Sequence, residues 1–408
     1  LNPIVLTIDY YNSFLIKGHN SGYNNYFIEE SRIRGDYNAD QVDLGVIAHI
    51  EEEDFSINSR PNGLIYSGIY NGKTKVNNTN VFSSAQSITK AVDIQYGGIY
   101  KLFAEDTNLN IFQEQRVSSA LIDKDAIYTA EGGAITSTKG DVIGQILPYG
   151  TTYGIGKNPE SFAYNAGRKY FVDPNKNAVL RLSRDGITEI SNYGMRSYFR
   201  DLLRDYNGKI IGGYDMHNNE YVVNANNVTL GFEEGVKGWT SRYSYMPEQI
   251  LSLQSKFYTI KAKDIYQHYH LNADYNTFYG QTANSEISLI INGGASTNKV
   301  FHTLNYEGTV GWQAENIQSD SDQAAAIVKY DTTSFDNGTS FYLSKFYKTD
   351  GKYSSSIINQ STENVGEIVF SGDISGIKGF FTKLTLKTSD NVYRELFAVS
   401  TNYNVNSY

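Results

Sequence analysis

An all-β protein is what this sequence predicts, and three features carry the prediction. Aromatic residues are abundant, with 34 Tyr and 20 Phe among 408 positions, and they accompany many Asn, Ser and Thr residues and 36 Gly. That mixture suits half-buried strands joined by tight turns. A period of two runs through the segment after Trp239, with aromatic and aliphatic Phe257, Ile265 and Tyr269 in step with Thr259 and Gln267, which is the strand period. A unit of strand, Asx-rich turn and strand also returns: KLFAEDTNLNIF around Asp106, GRKYFVDPNKNAVLRL around Asp173 and IIGGYDMHNNEYVV around Asp215. With 40% apolar and only 19% charged residues, the chain can bury real cores, enough for two or three domains.

Residues 1–90 read as an extended N-terminal β region of strands and loops, polar and irregular, with the acid run Glu51, Glu52, Glu53 and Asp54. Residues 91–280 read as a β-propeller-like domain. The interval from Asp173 to Asp215 falls within the roughly 40 to 45 residues of a four-stranded blade. The interval from Asp106 to Asp173 is too long for one, so the Gly-rich stretch 131–156 is expected to be a long inserted loop. A further strand pair, ILSLQSKFYTIKAKDIYQHYH, follows Trp239. Between Gly97 and His270 there is room for about four blade-sized units, the lower limit of known propellers.

One segment departs from the strand period. Met195, Tyr198, Phe199, Leu202 and Leu203 form a single apolar stripe at helical spacing, with Arg196, Arg200, Asp201 and Arg204 on the other face and Asn207-Gly208 as the stop. The expectation is one or two short helices, this one packed over the sheets, with a docking helix as the alternative. Beyond the repeat, SEISLIIN, KVFHTLNYEGTV, GEIVFSGDI, FFTKLTLKTS and ELFAVSTNY predict a C-terminal antiparallel β domain of sandwich type over residues 281–408, with a flexible polar insert near Gln318 to Gln323.

Composition removes several functions. The formal net charge is −9, so no general basic face is available to neutralise a nucleic-acid backbone. With no Cys in the chain, disulfides, thiolate zinc sites and cysteine nucleophiles are excluded. No apolar run approaches the roughly 18 residues of a membrane helix and no leader opens the sequence, so a soluble chain is expected. Six His are scattered at 19, 49, 217, 268, 270 and 302. His268 and His270 would share one strand face, half of a metal site at best, and an exposed strand pair is the expected reading. Asp173-Pro-Asn-Lys-Asn opens like a calcium loop, but Ala178 and Arg184 stand where Gly and Glu are required, so an Asx-stabilised hairpin tip is expected. Arg34-Gly35-Asp36 reads as a turn, and the N-x-S/T triplets at Asn77, Asn227, Asn337 and Asn359 follow from composition. Carboxylate pairs such as Glu233 with Glu234 or Asp123 with Asp125 could serve a glycosidase, but adjacency in sequence does not set the separation that chemistry needs. No catalytic, cofactor-binding or metal-ligating residue is assigned: the expectation is a protein that is not an enzyme and has no cofactor.

Particular stretches resemble a known family. ALIDKDAIYTAEGG (120–133), YGIGKNPESFA (153–163), RKYFVDPNKNAVLRLSRDGITEIS (168–191) and YGMRSYFRDLL (193–203) resemble the tail muzzle, or structural tail, proteins of crAss-like phages that infect gut Bacteroidota. So do VDLGV near 42, LIYSGIYN near 64 and ELFAVSTNYN (395–404). The resemblance implies a structural subunit of a short non-contractile tail, below the portal and ring proteins. Related nozzles of short-tailed phages are six-fold rings with propeller domains. Family chains are much longer than 408 residues; with Leu1 in place of Met, that implies a cleaved or partial chain still associated with an upstream fragment of the same precursor.

The function expected is therefore that of a virion protein at the tail tip: a homo-oligomeric ring, a hexamer, that lines and closes the DNA-ejection channel and contacts tail ring proteins and other tail components. Viral DNA would pass without sequence-specific binding, because a lumen sharing the negative sign of the chain repels phosphates. The alternative is a secreted Bacteroidota carbohydrate-binding β-propeller, or a polysaccharide hydrolase, for which Tyr, Trp and Asn would stack on and hydrogen-bond sugars.

Overall fold

The computed structural model describes residues 59–405 except 69, 72, 81, 83–87, 106–107, 123–124, 129–133, 138–141, 207, 322–323, 329–343 and 360–375, together with strand backbone at Phe14–Lys17 and Tyr26–Glu29. Arg34-Gly35-Asp36, the acid run 51–54, His19, His49, Asp106, Asp123, Asn207, Asn337 and GEIVFSGDI lie outside the described residues. Strands dominate, and among the described residues there is one α-helix. The chain divides into two compact units, Leu1–His268 and Tyr269–Tyr408.

The first unit contains four antiparallel meanders in succession. Sheet 1 is β1 (Ile99–Glu105), β2 (Asn108–Gln113), β3 (Val117–Ile122) and β4 (Ile143–Pro148). Sheet 2 is β5 (Ala163–Asn165), β6 (Arg168–Asp173), β7 (Ala178–Ser183) and β8 (Gly186–Glu189). A single helix, α1 (Arg196–Leu203), follows. Sheet 3 is β9 (Ile211–Asp215), β10 (Glu220–Ala225), β11 (Val228–Glu233) and β12 (Gly238–Tyr243), and the three-stranded sheet 4 is β13 (Gln249–Leu253), β14 (Lys256–Lys261) and β15 (Asp264–Gln267). Among the described residues none of the sheets is closed on itself. Turns Ala166-Gly167, Asn226-Asn227 and Gln254-Ser255 have both central residues at positive φ, the primed geometry that matches strand twist in tight hairpins.

Successive sheets cover one another, so inner strands are buried on both faces. Tyr170, Val172 and Val179 of sheet 2 share a core with Tyr214, Tyr221 and Val223 of sheet 3. Phe171, Leu180 and Leu182, from the opposite face of sheet 2, pack with Phe112 and Val117 of sheet 1. The outer face of sheet 1 is covered in turn by a ribbon of Gly63–Ile65 and Thr89–Ala91, which adds Leu64 to the core of Ile111, Ala120 and Ile143. Two-sided burial is why β6 and β10 read as nearly continuous apolar runs rather than alternating ones. Gly212 and Gly213 let the third sheet meet both neighbours closely: a Cβ at Gly212 would lie 2.1 Å from the Ser161 carbonyl oxygen, and one at Gly213 would lie 2.1 Å from Ile250 Cγ2.

Two expectations change in detail. Asp173 and Asp215 do end strands at four-residue turns, each closed by an Asn (Asn177, Asn219) at positive φ. The turns occupy different places, however: the first joins the second and third strands of sheet 2, the second joins the first and second strands of sheet 3. Their spacing is a recurrence of turn chemistry, not of whole sheets. The excess length after Asp106 contains a hairpin, Asp125–Tyr128 with Ala134–Ser137, inserted between β3 and β4, where a loop was expected.

The second unit is two sheets around one core. The first has β16 (Ser285–Ile291) at one edge, and the second is centred on β17 (Lys299–Gly308). The first sheet continues through β18 (Gln313–Ser319), β19 (Ala324–Val328) and β20 (Ser344–Lys345); the second includes β21 (Tyr347–Thr349), β22 (Lys352–Ser356) and β23 (Ile377–Gly379). β24 (Thr382–Thr388) joins the first sheet between β16 and β18, and β25 (Leu396–Val405) pairs with β17. Phe301, Leu304 and Tyr306 face Ala314, Ile317, Leu384 and Leu386 across the shared core. The flexible insert expected near Gln318 is corrected: Gln318 and Ser319 belong to β18, and Asp320 Oδ1 accepts the N–H groups of Phe380 (2.7 Å) and Phe381 (3.3 Å).

Candidate functional site

The polar chemistry of the first unit gathers where one sheet meets the next. Asp173, buried at the end of β6, receives the Gly154 N–H on Oδ2 at 2.9 Å, and the Asn175 and Lys176 N–H groups on Oδ1 at 3.0 and 3.3 Å. Gly154 belongs to the segment leaving sheet 1, where Ile155 and Gly156 donate to the Gln113 and Glu114 carbonyls. One carboxylate thus closes its own turn and ties down the connection between two sheets. The sequence identified the turn but not the second task. Lys169, itself buried, also joins these sheets through Glu105 at 2.5 Å.

Between sheets 2 and 3, the Tyr221 hydroxyl donates to the Ser161 carbonyl at 2.6 Å, and Trp239 Nε1 donates to the Ile190 carbonyl at 3.1 Å. Tyr170 stacks on Tyr221 and Tyr214, with ring centroids 5.0 and 5.7 Å apart. Glu234, at the turn between β11 and β12, reaches back to accept from the Arg181 guanidinium and from the Tyr170 hydroxyl. Glu220 is buried in sheet 3 and accepts from the Tyr243 hydroxyl, while burial pushes its carboxyl above the usual range. Of the carboxylates that the sequence paired, Glu234 is engaged in joining sheet 3 to sheet 2.

The histidine pair is corrected by the structure. His268 lies just past β15 and is largely buried, its Nε2 2.8 Å from the Thr259 hydroxyl and its ring against Tyr245 and Phe257. His270 is exposed outside any strand, with Nδ1 accepting the Asn272 N–H at 3.3 Å. They do not share a strand face, and Tyr269 likewise falls outside the strand. Among the described residues no group of three or more His, Cys, Asp or Glu is placed to hold a metal ion. The Asp173 turn has its oxygens committed to N–H donors, as an Asx tip should.

The helix behaves as a packing element. Phe199 is 1% exposed and its ring centroid is 4.4 Å from that of Trp239, with Leu203 beside it in the core between sheets 2 and 3. Two open polar cavities, of about 420 and 370 Å³, border the Asp173 turn and α1; Glu114, Lys157, Asp205 and Lys209 line one, and Lys176, Glu189, Arg196 and Arg200 the other. Neither wall carries one sign of charge.

The buried ionisable groups give opposing pH dependences. Burial outweighs the three N–H bonds and raises the Asp173 carboxyl from 3.8 to about 6. The folded state therefore holds a proton that the unfolded chain releases, a contribution fully present below pH 3.8 and lost as pH rises through about 6. Burial lowers His268 from 6.5 to about 4, so its contribution is present above pH 6.5 and lost as pH falls toward 4. The two slopes oppose one another between about pH 4 and 6. Asp173→Asn keeps an acceptor and removes one slope: its urea midpoint should fall more steeply than that of the parent on acidification from pH 6 to 4.5, by about 1.5 kcal/mol in stability. Parallel pH profiles for the two proteins would show that Asp173 titrates normally.

A chain of this kind, mostly strand, with buried acids and bases joining one sheet to the next, is a mostly β protein of several antiparallel sheets. The family model described as Crassvirus muzzle protein matches residues 48–263, more than half of the chain, and the model for the Crassvirus muzzle protein C-terminal domain matches residues 273–360. The chain belongs to the crAss-like phage muzzle protein family, a family of phage structural tail proteins. The curated Muzzle protein of Bacteroides phage crAss001 is 23% identical over 280 residues, which cover 66% of this chain and 20% of the relative. The chain thus spans about a fifth of the length of that relative.

Proposed function

We propose that this chain builds part of the wall of a tail muzzle at the tip of a short phage tail, as one subunit of a hexameric ring that lines and closes the DNA-ejection channel. Family membership carries the reading. Its physical support is the succession of four meanders packed face to face in chain order, the arrangement from which propeller blades are made. The open succession becomes a propeller-like domain once its ends are covered, by sheet from an upstream fragment of the same precursor. Tail ring proteins and other tail components are the neighbours in this scheme. The net charge of −9 per copy makes a ring whose lumen repels DNA and lets the genome slide without sequence-specific contact. The chain has no catalytic step in this role.

Imaging of assembled particles tests the ring: six-fold density of this chain around the tail axis is expected, and its absence from the tail would remove the proposal. A duplex-retention assay tests the lumen. No tight DNA binding is expected at physiological salt, and micromolar or tighter retention would contradict a repelling wall.

A further inference from the structure

The cavity of about 370 Å³ between the Asp173 turn and the first turns of α1 has the size of a small ligand pocket. Three cations line it, Lys176, Arg196 and Arg200, against one carboxylate, Glu189. That carboxylate is engaged by neutral donors: Oε2 accepts the Tyr153 hydroxyl at 2.9 Å and Oε1 the Ser191 hydroxyl at 3.0 Å. Arg196 opens α1, where a cation opposes the helix dipole, and no acid stands in that turn. Its neighbours three and four positions on are Phe199 and Arg200, so the helix gives it no ion pair and sets two guanidinium groups on one face. Among the described residues no carboxylate pairs with Arg196. Arg200 has Asp201 beside it at 3.0 Å, but both side chains are more than half exposed, and such a pair holds weakly. Lys176 completes the group: Asp173 accepts its N–H, and its Nζ donates to the Thr152 hydroxyl at 2.6 Å, over the Tyr153 ring. Positive charge is thus concentrated at one cavity of a chain whose net charge is −9.

We propose that this cavity binds a compact tetrahedral oxyanion, a phosphate or sulfate group that is free or carried on a sugar. Guanidinium forks and an ammonium are the donors that recognise such a group, the forks through paired N–H bonds and the ammonium as a point charge. Lys176 has three ammonium protons and commits one to Thr152. Two remain for a ligand. An anion between Arg196 and Arg200 relieves the repulsion of like charges one helical turn apart, which nothing on the helix offsets at Arg196. The frame around them is fixed. Asp173 closes the turn that carries Lys176, and Asn177, with its amide oriented to satisfy both groups, donates from Nδ2 to the Pro174 and Leu203 carbonyls at 3.2 Å each, which ties that turn to α1. The Tyr153 ring and the Ser197 side chain line the rest of the cavity, where a sugar carrying the anion has a face to pack on and a hydroxyl to bond. Three cations in one cavity cannot follow an extended phosphate backbone, so duplex DNA is not the ligand. This site goes beyond the ring reading and does not rest on it.

Isothermal titration of the full 408-residue chain with sodium phosphate, sodium sulfate and glucose 6-phosphate, each compared with chloride at matched ionic strength, tests the site. One saturable site with a dissociation constant of about 1 mM or tighter is expected for phosphate or sulfate. Sugar phosphate binding at least about tenfold tighter than phosphate identifies an ester as the source, and equal binding identifies the free anion. Arg196→Gln should weaken binding by at least about tenfold, and Arg196→Lys by less, since lysine keeps the charge but not the fork. Arg200→Gln repeats the test on the second guanidinium, and Lys209→Gln, in the other cavity, should change nothing. Without anion, the urea midpoint of Arg196→Gln should equal or exceed that of the parent, because a cation leaves the wrong end of the helix dipole. A lower midpoint would mark Arg196 as a structural residue and overturn its assignment. No saturable binding beyond chloride, unchanged binding in Arg196→Gln and Arg200→Gln, or displacement of phosphate by a DNA duplex at micromolar concentration would each overturn the proposal.

Discussion

Phe199→Ala is expected to destabilise the first unit by about 3 to 5 kcal/mol, the cost of emptying a fully buried phenylalanine site. An eight-residue helix has no useful stability alone, so α1 persists because of what it buries. What it buries is chiefly Phe199 and Leu203, set into a core with Trp239, Phe232 and Val223. Removing the ring loses its transfer free energy, and the surrounding strands, held in two sheets, cannot collapse fully into the space. Tyr198, one residue away and 38% exposed, is the internal control: Tyr198→Ala should cost less than about 1 kcal/mol. Urea unfolding followed by tryptophan fluorescence measures both, since Trp239 packs directly on Phe199. Equal losses for the two variants would mean that the helix is not anchored through its apolar stripe.

The same helix shows what sequence could reveal. Its stripe was legible because a 3.6-residue period stands out against strands, and the packing reading followed from it. Strand identity was legible at the surfaces, where one face is wet: FFTKLTLKTS alternates and appears as β24. Inside the stack the alternation disappears, because Lys169–Asp173 and Glu220–Ala225 are covered on both sides. β18 was missed for a different reason. Asn316 sits at positive φ and the register shifts between Glu315 and Gln318, so Ala314 and Ile317 reach the core three positions apart and the period of two is broken. The junctions were illegible. Lys169 with Glu105 and Arg181 with Glu234 bring together residues from different sheets, and no local pattern announces such a pair. The paired glutamates at 233 and 234 were visible as acids, but only the fold assigns Glu234 to a guanidinium and a tyrosine.

Glu234→Ala should be the most damaging single change among these polar links, at about 2 to 4 kcal/mol. Arg181 has a side chain 14% exposed and Glu234 one 19% exposed, so the pair is withdrawn from water and only weakly screened. The net value of such a pair is small, because attraction mostly repays desolvation. Breaking it is another matter: without Glu234, the guanidinium keeps only the exposed Asp185 at 3.1 Å and the Thr188 hydroxyl at 3.2 Å, and the Tyr170 hydroxyl loses its acceptor. Leaving a half-buried charge short of partners costs more than the pair contributed. Arg181→Met should cost less than Glu234→Ala, since a flexible apolar chain fills the space and the remaining carboxylate can turn toward Arg168, 3.9 Å away. The double variant should be more stable than the sum of the single losses implies, with a coupling of about 1 to 3 kcal/mol in a double-mutant cycle. Additive losses would show that Arg181 and Glu234 act independently, leaving the aromatic core and the hydrogen bonds of Tyr221 and Trp239 to join the second and third sheets.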